Sequence, residues 1–346
     1  MSQGKDYNKL GLKLRKGIHI LFKILFSFKS EAYNVLWLKF LQLLLAPIDY
    51  IFYIIERLII KKNENQEIPI IFIVGIQRTG STLISQFVEK VFHFFPIGNF
   101  NSIFKRSSYY LHKWISRFYT KSNKSYRNFY GISKGFFSIG DCYELWDRWF
   151  GENHYILPEK IDDKRKQNLI CNFSNLFIAY KKQILTKNNR NSLLIPLFND
   201  TFQNAFFVVV KRDPLAVIRS TLKASKDFFG TDDLLWGLYP NHDFETNNYE
   251  NSIEAATVQF LMLDKILTEQ VKKLASDSYL VVDYDEFCEN PEKFRNQLEN
   301  KLNSKWDFTI DRTFEENKSF QTSKRLENSN LDIQINKYLY KWKDKI

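Results

Sequence analysis

The segment spanning residues 68–94 restricts the fold of this chain more than any other. Residues 68–74 read IPIIFIV, apolar at every position, and stop at Gly75. A strand with one wet face alternates apolar and polar residues, so an uninterrupted apolar run marks a strand covered on both faces, as in the middle of a parallel sheet. After the turn GIQRTGST at 75–82, Leu83, Ile84, Phe87, Val88 and Val91 recur at helical spacing and predict a helix over 81–94. The unit is a buried strand that feeds a helix through a glycine turn.

The same pattern returns twice. Residues 205–210 (AFFVVV) form a second continuous apolar run, followed by RDP at 212–214. Asp213 suits a helix N-cap and Pro214 the first helical turn, where a missing N–H costs nothing. Residues 279–283 (YLVVD) form a third strand, and Asn290 and Pro291 open another helix through Phe294 and Leu298. Strands alternating with helices imply an α/β fold of three layers, αβα, with a central parallel sheet. No repeat, low-complexity tract or Gly/Pro-rich linker divides the chain of 346 residues. The expected organisation is therefore one domain over 67–346 behind an N-terminal helical extension over 1–66, with the polar break KKNENQE at 61–67 between them.

That extension is very apolar from residue 32 to residue 60, but Lys39, Asp49, Glu56 and Arg57, with Pro47 between them, interrupt it. No run approaches the ~20 apolar residues that cross a bilayer. The expectation is a pair of core-packed helices broken at Pro47. The alternative is a basic amphipathic membrane anchor helped by Lys13, Arg15, Lys16 and Lys23. Residues 1–15 are polar and charged and lack the pattern of a signal peptide. The three cysteines, Cys142, Cys171 and Cys288, are far apart and have no histidine pairs nearby, which indicates neither a disulfide framework nor a zinc site. These features point to a cytoplasmic protein, with peripheral membrane contact as the variant. The net charge of +11 is spread along the chain without a Lys/Arg block or an RNA-binding aromatic signature, so nucleic acid is not an expected partner.

Gly75 and Gly80 have the spacing of the phosphate loop GxxxxGK[ST], whose backbone N–H groups and helix N-terminus cradle phosphate oxygens. Ser81 stands where a nucleoside-triphosphatase has its lysine, and the cation lies inside the loop as Arg78. A strand followed by this loop, with an arginine in place of the lysine, resembles the PAPS-dependent sulfotransferases (PAPS is 3'-phosphoadenosine-5'-phosphosulfate). Their loop has the form [KR]-[ST]-G-[ST]-[ST], which residues 78–82 fit throughout. The resemblance implies a P-loop-like sulfotransferase fold and a 5'-phosphosulfate site made by Gln77, Arg78, Thr79, Gly80, Ser81 and Thr82. Arg212 and Ser220 repeat the family's Arg-Asp-Pro strand end and following helix serine, which hold the nucleotide 3'-phosphate. Residues 281–287 (VVDYDEF) are similar to a late strand-turn-helix of the family, a structural marker in which Asp283 and Asp285 cap the turn. Lys187 and Arg190 lie in a stretch similar to the family's approach to Arg-Asp-Pro.

The implied reaction moves a sulfuryl group from PAPS to a hydroxyl or amine, leaving adenosine 3',5'-bisphosphate (PAP), with no metal cofactor expected. A base must take the acceptor's proton. Candidates cluster at 141–154 (DCYELWDRWFGENH), with Glu144 first and His154 second. Trp146 and Trp149 either wall the cleft and stack on a sugar or pack in the core. The expected acceptor is a carbohydrate, a lipid or a small alcohol. The alternatives are a P-loop kinase-like phosphotransferase, disfavoured by the missing lysine, and a non-catalytic membrane-surface protein with a degenerate nucleotide site.

Overall fold

The computed structural model describes residues 22, 24–26, 30–60, 67–119, 126, 128–129, 132–152, 161–230, 235–241, 244, 248–306, 319–320 and 329–346. In chain order the elements begin with α1 (Ser30–Ile59), β1 (Ile70–Val74), α2 (Ser81–Phe92), β2 (Phe95–Pro96), α3 (Asn99–Ile103), α4 (Tyr110–Ile115), β3 (Asn128–Phe129) and β4 (Ile132–Ser133). There follow α5 (Tyr143–Phe150), α6 (Asp163–Tyr180), β5 (Ile184–Lys187), α7 (Ile195–Thr201), β6 (Ala205–Lys211), α8 (Pro214–Phe229) and α9 (Ser252–Val271). The last are β7 (Tyr279–Asp283), α10 (Tyr284–Glu289), α11 (Pro291–Trp306) and α12 (Ser329–Trp342).

Five parallel strands in the order β2-β5-β1-β6-β7 form the sheet, and β1 is its middle strand. The unbroken apolar run of β1 has a simple cause. Ile70, Phe72 and Val74 enter one core with Phe173, Phe198 and Leu263, while Ile71 and Ile73 enter a second with Ile84, Phe87 and Leu298. Strand side chains alternate between faces, and here both faces are covered. Phe72 stacks on Phe198 with ring centroids 4.6 Å apart. The three-layer α/β architecture expected from the sequence is present.

Register carries the fold into the site. Ile73 lies opposite Lys187, Val74 opposite Val209, and Lys211 opposite Asp283. The ends of β5, β1, β6 and β7 therefore open side by side, where ligands bind in open α/β sheets. Asp213 caps α8 by accepting from the Ala216 N–H at 3.1 Å, and Pro214 takes the first helical position as expected. Asp283 caps α10 by accepting from the N–H groups of Asp285 and Glu286.

The N-terminal segment departs from expectation. It is not broken at Pro47, and only one side of it packs on the domain: α1 is one helix of 30 residues with Pro47 inside it. Pro47 is exposed, and the residue whose carbonyl it leaves without an N–H, Leu43, is 79% exposed. The helix is long and apolar enough to cross a membrane by length and composition alone, and most of that stretch is uncovered by protein. Two acids hold it to the domain. Asp49 accepts from the N–H groups of Arg106 and Ser107, and Glu56 from those of Ser108, Tyr109 and Tyr110 at 2.7, 2.8 and 2.9 Å. The donors to Glu56 run into the start of α4, so this carboxylate supplies acceptors that its first turn lacks.

Replacing Glu56 with Ala leaves these buried N–H groups without their carboxylate. The expected cost is about 2–3 kcal/mol of unfolding free energy, the scale of lost hydrogen bonds to a charged group, read from urea denaturation.

Candidate active site

The loop between β1 and α2 is built by backbone conformation. Gly80 has φ +94° and stands at the N-cap of α2, while Arg78 takes φ +68°, a left-handed conformation uncommon for a residue with a side chain. Left-handed residues in such a turn curl successive N–H groups toward one point, and the N-terminus of a helix of 12 residues adds its dipole there. Thr79 donates its hydroxyl to the Ile76 carbonyl at 2.8 Å and closes the turn from within. The Gly75 N–H donates to Ser192 Oγ at 2.9 Å, which ties the loop to the segment after β5. Gln77 is buried against Gly237, where a Cβ would lie 2.7 Å from its side chain.

Three of the residues singled out in the sequence meet at this edge. Arg78 Nε donates to Ser220 Oγ at 2.8 Å, and Arg212 Nη1 donates to the Arg78 carbonyl at 3.3 Å. Residues 78, 212 and 220 come from the β1–α2 loop, the end of β6 and the second turn of α8, yet Arg78 is hydrogen-bonded to both of the others. Two guanidinium groups offer planar forks of donors suited to phosphate or sulfate oxygens. Trp236 flanks the cluster, with the Arg78 guanidinium 5.6 Å from its ring centroid.

Sequence reasoning missed Tyr284. Its ring lies where a Cβ on Gly80 would be, 2.1 Å from the ideal position, and the Arg212 guanidinium sits 4.3 Å from the ring centroid. Tyr284 thus packs on the loop and beneath the second arginine at once. Burial pushes its phenol up to about 12, so it stays neutral at ordinary pH. The signal was present as the tyrosine of the late strand-turn-helix, but only the fold shows what it touches.

Of the two placements open to the tryptophans of the 141–154 stretch, the core is the one found. Trp146 and Trp149 are fully buried among Phe173 and Phe198 and form no cleft wall; their faces on α5 point to the core because that side covers the sheet. Glu144 is engaged from α1 by Lys39 and, at 3.2 Å, by Gln42. Burial pushes its carboxyl up, but the Lys39 ammonium and its hydrogen bond outweigh burial and hold it below the usual carboxylate range. A cavity of about 290 Å³ lies on this side, lined by Lys39, Gln42 and Asp49 of α1 and by Ser102, Lys105 and Arg106. His154 falls outside the described residues.

Another acid of the same stretch, Asp141, reaches the end of β5. Both its oxygens accept from Lys187 Nζ at 2.9 Å, and Oδ1 accepts from the Asn189 N–H at 3.2 Å. Lys187 is buried at the end of β5, opposite Ile73. Arg190, also buried, donates to the Gly151 carbonyl and to Asp147, so it braces the turn after α5. Among the described residues no group of three or more His, Cys, Asp or Glu side chains has the arrangement of a metal site.

A sequence model described as "Sulfotransferase family" matches residues 69–307, most of the chain. The chain belongs to the sulfotransferase family. Three solved sulfotransferases are similar to this chain at low identity and with TM-scores below 0.5. STF1 from Mycobacterium tuberculosis H37Rv is 11% identical, with 69% of this chain and 68% of that chain covered and a TM-score of 0.45. STF9 from Mycobacterium avium is 11% identical, with coverage of 83% and 70% and a TM-score of 0.47. The sulfotransferase domain from the curacin biosynthetic pathway is 15% identical, with coverage of 81% and 92% and a TM-score of 0.38. No curated protein matches by sequence. The match to the family begins one residue before β1 and ends one after α11, so α1 and α12 of this sulfotransferase lie outside it.

Gly80→Ala places a methyl group into the Tyr284 ring and a side chain at φ +94°. The expected loss is about 2 kcal/mol of stability or more, since left-handed strain alone costs roughly 1–3 kcal/mol. Chemical denaturation measures it.

Proposed function

We propose that this sulfotransferase moves a sulfuryl group from PAPS to a hydroxyl or amine acceptor by in-line displacement, leaving PAP. The observation that carries the reading is the convergence of Arg78, Arg212 and Ser220 around a left-handed glycine turn at the strand ends. The residues fit a nucleotide with two separate anionic ends. In this assignment the loop, with the N-terminus of α2, Ser81 and Thr82, takes the 5' end and Arg212 with Ser220 takes the 3'-phosphate, and Arg78, bonded to Ser220, lies between the two. PAPS supplies an activated sulfuryl group whose leaving group is the 5'-phosphate.

In this reading Arg78 is the catalytic cation. Its guanidinium already reaches across to Ser220, so its side chain is held over the loop rather than in solvent. As the bond from sulfur to the bridging oxygen breaks, negative charge grows on the phosphate, and Arg78 with the loop donors meets it without reorganising. Arg212, stacked on Tyr284, holds the 3'-phosphate and fixes the nucleotide's position. Asp213 caps α8 and keeps Ser220 at its height on the helix.

For the acceptor's proton we favour Asp141 over Glu144. Each acid is paired with a lysine, Glu144 with Lys39 and Asp141 with Lys187, but Glu144 faces α1 whereas Asp141 lies beside the segment that contacts Gly75 through Ser192. The buried tryptophans no longer favour a sugar, so the acceptor is proposed only as an alcohol or amine. We assign the chemistry to residues 67–346 and place the chain in the cytoplasm.

Arg78→Ala is expected to lower turnover of PAPS by about a hundredfold or more, the usual cost of one transition-state donor. Arg212→Ala is expected chiefly to raise the Kd for PAP, by about tenfold or more, as for loss of one charge-assisted pair. Labelled sulfate transfer to an extract of the source cells, with PAP binding measured in parallel, reads both. Unchanged turnover in Arg78→Ala contradicts its role. In the same assay Asp141→Asn is expected to lose turnover and Glu144→Gln to keep it; the reverse pattern returns the base to Glu144.

A further inference from the structure

The outward face of α1 is the largest surface that the sulfuryl-transfer reading leaves unexplained. Trp37 is 55% exposed, Phe40 53%, Leu44 57%, Ile51 55%, Ile55 36% and Leu58 80%. Their positions step by three, four or seven residues and so lie along one stripe of the helix. Burying such side chains is worth far more than any surface contact in water, so an exposed stripe of this length has a partner.

The charges on α1 say which partner. Its two described acids that are not on the stripe, Asp49 and Glu56, are turned inward and consumed by backbone N–H groups of the domain. Of the basic residues of α1, Lys39 is turned to Glu144 of the domain and Arg57 is exposed. The neighbouring α4 and the turn after it expose Trp114 and Phe118 together with Lys113 and Arg117. Apolar side chains with tryptophans among them and cations at the margins, with acids withdrawn, suit an anionic lipid surface. The same cations would face one another across a junction of two copies of this chain.

The mode of contact follows from how α1 is held. Asp49 and Glu56, two turns apart, anchor the helix lengthwise to residues 106–110, and Leu38 packs with Phe100 and Leu111 of the domain. A helix fastened along its side to a folded domain cannot stand across a bilayer without drawing that domain into the hydrocarbon. We propose that α1 lies in the plane of the membrane, its outward stripe at the boundary of headgroups and acyl chains, and docks the enzyme on an anionic bilayer. The inference is independent of the identity of the sulfuryl donor.

Full-length protein is sedimented with vesicles of phosphatidylglycerol and phosphatidylcholine, and with vesicles of phosphatidylcholine alone. The wild type is expected to bind both and to prefer the anionic vesicles. Leu44→Glu combined with Leu58→Glu is expected to weaken binding by at least about tenfold, because two exposed apolar groups become charged. Both sites are on the surface, so the melting temperature of the double variant is expected to match the wild type, which separates lost docking from lost folding. Nitroxide labels at positions 44, 51 and 58, introduced after Cys171→Ser, are expected to report one shallow depth. A spread of roughly 20 Å between the end positions would instead show a spanning helix and overturn the in-plane arrangement. Vesicle binding unchanged by the double substitution overturns the proposal. So does a wild type that binds neither vesicle but forms a dimer that the double substitution dissolves.

Discussion

The site depends on one contact, the Tyr284 ring against Gly80. A glycine is required there twice over, because the backbone is left-handed and because the space of a Cβ belongs to the ring. The same ring lies under the Arg212 guanidinium. Three segments far apart in the chain, the first loop, the end of β6 and the start of α10, are thereby locked to a common geometry. A 3.3 Å contact between Arg212 and the Arg78 carbonyl adds a direct link between the loop and the second arginine. Preorganisation of this kind matters because donors that are already placed need no rearrangement as charge develops.

Much of this was legible before folding was considered. The apolar runs of β1 and β6 are buried on both faces and must lie inside a covered sheet. Asp213 and Pro214 marked the start of α8 by a local rule that tertiary structure had no reason to override. Arg78, Arg212 and Ser220 could be named because their motifs resemble those of the PAPS-dependent sulfotransferases and follow in the same order. Their convergence is a product of register, which places the ends of β1 and β6 next to each other.

Other features were illegible for definite reasons. Helix α5 carries acids and tryptophans at spacings that serve a cleft or a core equally well; only the neighbours of Trp146 and Trp149 decide between them. Glu144 owes its occupation to Lys39, more than a hundred residues earlier, and no local pattern reports such a pairing. The pairing of Asp141 with Lys187 likewise needs the strand order. In α1 the apolar pattern was legible and its destination was not. Apolar periodicity states that a face will leave water, not whether protein or lipid will receive it.

The central claim is that the strand-end cluster binds a nucleotide by two anionic ends. Calorimetric titration of the wild-type protein with PAP, adenosine 5'-phosphate and ATP with magnesium tests it most directly. PAP is expected to bind at least about tenfold more tightly than either, the worth of a single charge-assisted phosphate contact. Adenosine 5'-phosphate or ATP binding as tightly as PAP would contradict the account.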